Sequence, residues 1–310
     1  MTFEFESMLR GVEIESPRQN SESQTNQQTA VSPTDRFVRV QGVNIRYADW
    51  GGDGPDVLLL HGDMRTSRSW DAIAHDLSPK FHVRSMDSRG HGDSDWPETG
   101  YSFSIRAREV VEFIDLTGMR DMIGVGHSSG GAVMALAARE RPELFSRLVL
   151  LEAPLVMDET NQRRIAQREH WSRTMWGSKD ELSEYLRQHR LAGKWRDDVI
   201  DDVVQHEAME LPDGRIDMKW THRMMAWAER EGDYFDLRPF IETFGKPLLL
   251  ITSSEREAQF EAFRELIERA PRAHLMTIEN TGHNMYMERP EAVAKAIGMF
   301  VAGKTLPGRV

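Results

Sequence analysis

The chain has 310 residues, 39% of them hydrophobic, enough for one large α/β domain or two smaller ones. Its 39 basic and 50 acidic residues give a formal charge of −11, which argues against binding to nucleic acid or anionic lipid, since both need basic surface. Cysteine is absent, which excludes disulfides and thiol catalysis. No apolar run approaches the roughly 18 residues of a membrane span, and Met1-Thr2-Phe3-Glu4 lacks the basic and apolar regions of a secretory signal, so a cytoplasmic location is expected.

Residues 1–34 read as a flexible extension. The part from 16 to 34 is rich in Ser, Gln, Asn and Pro and has almost no large apolar side chains. Phe3, Phe5, Met8, Leu9, Val12 and Ile14 suit docking on the body or on a second copy, which makes a homodimer an expectation. A hairpin is predicted from 37–40 and 43–50 around Gln41-Gly42. A buried-type strand follows at 57–60, a helix at 69–77, a strand at 81–86, a helix at 104–116 and a strand at 122–125. Next come a helix at 129–139 and a strand at 148–151. The alternation resumes with a strand at 247–251, a helix at 256–269, a strand at 273–278 and a helix at 290–302. Strands alternating with helices at these lengths imply βαβ units and a largely parallel sheet. Ligands of such sheets lie beyond the carboxyl ends of the strands.

Between 155 and 240 the strand signal disappears and the sequence reads as a helical insertion over the sheet. It carries Trp171, Trp176, Trp195, Trp220 and Trp227. Most of these belong to a core of the insertion itself, but any pocket beneath it is walled by some of them, and Trp171, Trp176, Trp220 and Trp227 are the candidates for substrate contact. The resulting division is core at 35–154 and 241–310, and cap at 155–240.

The chemistry concentrates at Gly126-His127-Ser128-Ser129-Gly130, between a strand and an alanine-rich helix, which fits G-x-S-x-G. A serine on a sharp strand-to-helix turn needs neighbours without bulk, and a following helix aims its first amides at the developing oxyanion. A serine needs a base, and the base needs an orienting acid. His283, in Thr281-Gly282-His283-Asn284 before the last helix, stands where a base would reach back to Ser128. No metal-ligand spacing, G-x-G-x-x-G or P-loop is present, so neither a metal nor a cofactor is expected.

From about residue 36 to 303 the chain resembles the α/β-hydrolase fold superfamily. The resemblance rests on Leu60-His61-Gly62-Asp63, Asp87-Ser88-Arg89-Gly90-His91-Gly92-Asp93-Ser94, the serine turn and Gly282-His283. It implies a mostly parallel eight-stranded sheet with helices on both faces and a helical cap inserted after the sixth strand. It also implies Ser128 as nucleophile, His283 as base, and the amides of Asp63 and Ser129 as the oxyanion hole, with His91 as scaffold. An aspartate at position 63 is unusual, and its carboxylate must point away from the oxyanion.

The orienting acid departs from the common pattern. The turn after the seventh strand, Thr252-Ser253-Ser254-Glu255-Arg256-Glu257, has neither the usual glycine nor an aspartate. The sixth strand instead ends Leu148-Val149-Leu150-Leu151-Glu152, and a carboxylate after four apolar strand residues is poorly explained as a solvated charge. Glu152 is therefore the first candidate, with Glu257 and Glu255 as alternatives. Placement after the sixth strand resembles the lactonases of zearalenone, and also some haloalkane dehalogenases, whose aspartate nucleophile Ser128 excludes. The expectation is a serine hydrolase for an ester or lactone of a moderately large apolar molecule. Carbon–carbon bond hydrolysis of ring-cleavage products is the enzymatic alternative, and a hydrolase-like small-molecule receptor is the alternative of another class.

Overall fold

The structure, a computed structural model, describes residues 32–170, 172–229 and 231–310, and leaves the Trp227 side chain undescribed. The N-terminal extension and its apolar start thus lie almost wholly outside the described residues, as does Trp171.

An antiparallel hairpin of β1 (Thr34–Val40) and β2 (Val43–Asp49) turns at Gln41-Gly42, both at positive φ (46° and 83°). Then follow β3 (Asp56–Leu60), α1 (Asp71–Leu77), β4 (His82–Met86), α2 (Phe103–Leu116), β5 (Met122–His127), α3 (Ser129–Glu140) and β6 (Phe145–Leu151). The inserted segment holds β7 (Val156–Met157), α4 (Glu159–Ala166), α5 (Lys179–Gln188), α6 (Asp197–Asp202), β8 (Ala208–Glu210), β9 (Ile216–Met218) and β10 (Phe235–Asp236). The chain then completes the sheet with α7 (Arg238–Thr243), β11 (Leu248–Ser253), α8 (Glu261–Arg269), β12 (Ala273–Ile278), α9 (Met285–Glu288) and α10 (Pro290–Val301).

The main sheet has eight strands in the order β1-β2-β4-β3-β5-β6-β11-β12, parallel from β4 onward. Its central strands are apolar on both faces because helices cover both. Leu58, Leu60, Leu148, Leu150, Leu248 and Leu250 join the core on one side. Val57, Leu59, Val149, Leu151, Leu249 and Ile251 join the core on the other. Each such side chain contributes about 1.5–3 kcal/mol by leaving water, so the sheet centre is the rigid part of the molecule. This is the α/β-hydrolase fold that the resemblance implied, on the parallel βαβ frame that the strand and helix pattern predicted.

Two local readings change. The predicted helix at 256–269 begins as a 3₁₀ stretch, Ser254–Phe260, and becomes α-helical only at Glu261. The Glu255 amide donates to the Thr281 carbonyl at 3.2 Å, which ties this stretch to the neighbouring loop. The inserted segment is not purely helical either. Residues 211–214, Leu-Pro-Asp-Gly, form a turn that closes a β8–β9 hairpin, with Gly214 at φ 83°. Where the segment leaves and rejoins the core, β7 and β10 pair antiparallel as a two-strand clasp. Among the described residues, no helix is long and apolar enough to cross a membrane.

Candidate active site

Ser128 occupies the sharp turn between β5 and α3 with φ 52° and ψ −125°, a conformation that costs an L-residue about 1–3 kcal/mol. Its amide donates to the Leu151 carbonyl at 2.8 Å, which pins the turn to the end of β6. The flanking glycines are required by close approach. A Cβ on Gly126 would stand 2.6 Å from Gly131 Cα, and one on Gly130 would stand 2.2 Å from the His61 carbonyl oxygen.

His283 lies between β12 and α9 and places Nε2 3.2 Å from Ser128 Oγ. Its Nδ1 is 2.6 Å from Glu152 Oε2, so with Nδ1 protonated the ring donates to the carboxylate and offers Nε2 to the serine. Glu152 directly follows β6, at φ 44°, and its side chain is fully buried. The Ser253 amide and hydroxyl both donate to Glu152 Oε1, at 3.0 and 2.5 Å, and the Arg256 guanidinium approaches Oε2 at 3.3 Å. The alternative acids are placed elsewhere. Glu257 pairs with Arg264 and Arg309, and Glu255 with Lys194 at 2.6 Å, so neither is bonded to His283.

Burial pulls the His283 imidazole below its ordinary value, against the opposing effect of the Glu152 bond and charge. Burial also pushes the Glu152 carboxyl up, but the His283 bond and the charges of His283 and Arg256 outweigh it and hold the group low. The resting pair is thus a carboxylate beside a neutral imidazole, the state a general base requires. A base is lost when it binds a proton, so kcat/KM is expected to fall as pH drops through the His283 pKa, which burial holds below the ordinary histidine value of 6.5. A pH–rate profile checks this, and an acidic limb centred above 6.5 contradicts it.

Sequence reasoning missed three supports of this pair. His127, the variable residue of the serine turn, bonds the His283 carbonyl at 2.9 Å and packs its ring, tilted, against those of His283 and Tyr286, each centroid 4.6 Å away. Ser253, the last residue of β11, and Arg256, in the stretch that follows, hold the carboxylate. No spacing rule marks Ser253 or Arg256. The His127 position lies inside the motif, where any residue is formally allowed.

Asp63 and Ser129 lie beside the serine, linked to each other by hydrogen bonds. Gly62 lets the loop after β3 come close, since a Cβ there would stand 3.2 Å from Ser128 Cβ. The Asp63 carboxylate is engaged by neighbouring side chains. Its Oδ1 accepts from the Ser129 hydroxyl at 2.7 Å and from Arg106 Nη1 at 3.1 Å. The Asp63 amide donates to Ser129 Oγ at 2.9 Å. His61 braces the loop from behind, with Nδ1 2.7 Å from the Gly62 carbonyl and Nε2 accepting from the Ser88 amide at 3.0 Å. Burial holds this ring neutral, with a pKa of about 4. His91 is buried against the Arg89 carbonyl at 3.0 Å, a scaffold position.

Ser128 and His283 open into a cleft with about 1230 Å³ of atom-free space, its mouth included. Trp176, Trp195, Trp220 and Tyr185 form its aromatic wall, all from the inserted segment, and Trp195 adds to the expected set. Arg65, Arg168 and Arg173 also line it. Arg173 donates to Asp217 at 2.5 Å and stands over the Trp220 ring at 4.5 Å, while Arg65 stands 5.0 Å over Trp195. Among the described residues, Asp71, Asp202 and His206 bring potential ligand atoms within 4.8 Å of one another, but none lines the cleft, and Asp71 is bonded to Arg68 at 2.7 Å.

Comparison with known proteins agrees with the fold. An uncharacterized hydrolase of Bacillus subtilis, YugF, is 28% identical over 281 residues, spanning 88% of this chain and 99% of the relative. The 2-(acetamidomethylene)succinate hydrolase of Mesorhizobium japonicum is 26% identical over 253 residues, spanning 81% of this chain and 89% of the relative. The crystal structure of an E-2-(acetamidomethylene)succinate hydrolase superposes with a TM-score of 0.75 at 24% identity, covering 87% of this chain and 99% of that one. Residues 57–296 match the model of the alpha/beta hydrolase family, and the chain belongs to that family.

Proposed function

We propose that the protein hydrolyses a carboxylic ester or lactone of a moderately large apolar molecule, aryl or macrocyclic, through an acyl-enzyme on Ser128. The observation that carries this reading is the line Ser128–His283–Glu152, with contacts of 3.2 and 2.6 Å, opening into an aromatic cleft. His283 Nε2 takes the Ser128 proton as Oγ attacks the carbonyl carbon. The amides of Ser129 and Asp63 hold the oxyanion, each worth about 3–4 kcal/mol of barrier. His283 then gives its proton to the leaving alkoxide, and Glu152 stabilises the imidazolium in between. Water, deprotonated by the same ring, releases the acid. The segment at 155–240 acts as the cap, and zearalenone-type lactones are one substrate class that fits. A fluorophosphonate probe and a panel of p-nitrophenyl esters test the reading: labelling of Ser128 and a burst of p-nitrophenol are expected, and the absence of both overturns it in favour of a binding protein.

A second reading is favoured by the cationic side of the cleft. Arg65, Arg168 and Arg173 suit a substrate that carries a carboxylate beside the scissile bond, such as an acidic product of aromatic ring cleavage split at a carbon–carbon bond. A relative whose named substrate is a succinate agrees with an acid. Under this reading Arg168→Gln is expected to raise KM about tenfold or more for acid-bearing substrates and leave neutral esters unchanged. Equal KM changes for both classes count against it.

A further inference from the structure

One oxygen of the buried acid faces two groups that can carry positive charge. Glu152 Oε2 lies 2.6 Å from His283 Nδ1 and 3.3 Å from Arg256 Nε. Its other oxygen, Oε1, accepts from the Ser253 amide and hydroxyl at 3.0 and 2.5 Å. Both oxygens therefore have a hydrogen-bond donor without Arg256. The Arg256 Nε is itself buried and makes no hydrogen bond among the described residues, so what it brings to Oε2 is charge. The Glu152 side chain is 0% exposed, and water screens this contact poorly.

A carboxylate that serves only to stabilise an imidazolium does so best without a rival cation on the same oxygen. Arg256 is such a rival. Its Nη2 donates to Gln259 Oε1 at 2.7 Å, and Glu152 is the only carboxylate it pairs with among the described residues. Other charges reach His283 from other elements. Arg168 acts on it from the inserted segment, with Asp63 within range as an opposing charge. Glu288, on α9, accepts from the neighbouring Gly282 amide at 2.8 Å, and Glu255 is paired with Lys194 at 2.6 Å. His127 packs against the His283 ring and is kept neutral by burial. Of these groups, Arg256 is the cation in contact with Glu152.

We propose that Arg256 is a positioning residue that acts through Glu152, drawing part of the carboxylate's charge away from His283 and so keeping the ring a free base further into the acid range. The inference rests on the reading of His283 as the base for Ser128. A ring that holds its proton less tightly stays unprotonated in the resting enzyme at lower pH. It also hands the proton on to the leaving group more readily. In exchange it pulls less strongly on the Ser128 proton, so the arrangement favours activity in acid over the highest plateau rate.

Two measurements on wild type, Arg256→Gln and Arg256→Lys test this: the pH dependence of Ser128 labelling by fluorophosphonate, and the NMR titration of the His283 ring. The ring signal is assigned by its loss in His283→Gln. In Arg256→Gln the acid limb of labelling and the ring titration are both expected to move up by about half to one pH unit. The plateau labelling rate is expected to stay within about threefold of wild type. Arg256→Lys retains a cation and is expected to lie closer to wild type than to Arg256→Gln. A limb that stays in place or moves down in Arg256→Gln overturns the proposal, whatever happens to the plateau, and so does a lysine variant that moves as far as the glutamine. Arg256→Met removes the charge at similar length and repeats the test should Arg256→Gln not fold. Failure of the parent reading is seen separately, as wild-type protein whose Ser128 is not labelled at any pH. The ring titration needs no turnover and still reports the effect of Arg256 in that case.

Discussion

Ser128→Ala is expected to lower kcat about 10⁶-fold, or about 8 kcal/mol of barrier, while leaving the protein folded. The substitution removes the attacking oxygen and leaves the rest of the turn in place. The cleft, the His283–Glu152 bond and the Leu151 contact of the Ser128 amide do not depend on the hydroxyl. Binding of substrate should persist, so a non-turnover complex is measurable by calorimetry. The turn gives an independent check. Ser128 holds φ 52°, a region that glycine enters freely, so Ser128→Gly should lose activity equally and unfold at a temperature no lower than wild type. A Gly variant that is clearly less stable contradicts the strain, and an Ala variant with residual turnover within a hundredfold of wild type contradicts the nucleophile.

Glu152→Gln is expected to reduce kcat about 10⁴-fold, or about 5.5 kcal/mol, with a small change in KM. The glutamine keeps size and the bonds from Ser253. It places an amide with no charge, and in one orientation an N–H donor, against Nδ1. The imidazole then loses both the partner that fixes its tautomer and the charge that stabilises its protonated form. Glu257→Gln and Glu255→Gln serve as controls and should retain kcat near wild type, because those carboxylates are engaged with Arg264, Arg309 and Lys194. Equal losses at positions 152 and 257 contradict the assignment of the acid to the end of β6.

The frame and the serine turn were legible for physical reasons that particular residues show. Val57 to Leu60, Leu148 to Leu151 and Leu248 to Ile251 are apolar at every position because both sheet faces are covered, and such runs are hard to explain otherwise. Glu152 was legible by contrast, as the one charge at the end of such a run. The inserted segment was less so. Its β8–β9 hairpin is short and its register is set by residues 211–214, a turn signal too brief to stand out beside neighbouring helices. Which tryptophans face the cleft depends on how that segment lies over the sheet, so Trp195 was not singled out for it. Arg106 was illegible because its position on α2 follows the helix period like any other, and only the loop after β3, brought up to α3, reveals what it meets.

The clasp of β7 and β10 has a practical consequence. Phe235 pairs with Met157 and Asp236 with Val156, so the whole inserted segment leaves and re-enters the sheet domain at one point. The segment is therefore an exchangeable module with a two-strand joint, and the cut belongs inside that joint. Glu152 lies upstream of it, on the sheet side. A chimera that takes another hydrolase's insert between Met157 and Phe235 is expected to exchange the aromatic wall of the cleft while keeping the Glu152–His283 pair. A cut made a few residues earlier, at the end of β6, would carry away the acid with the wall.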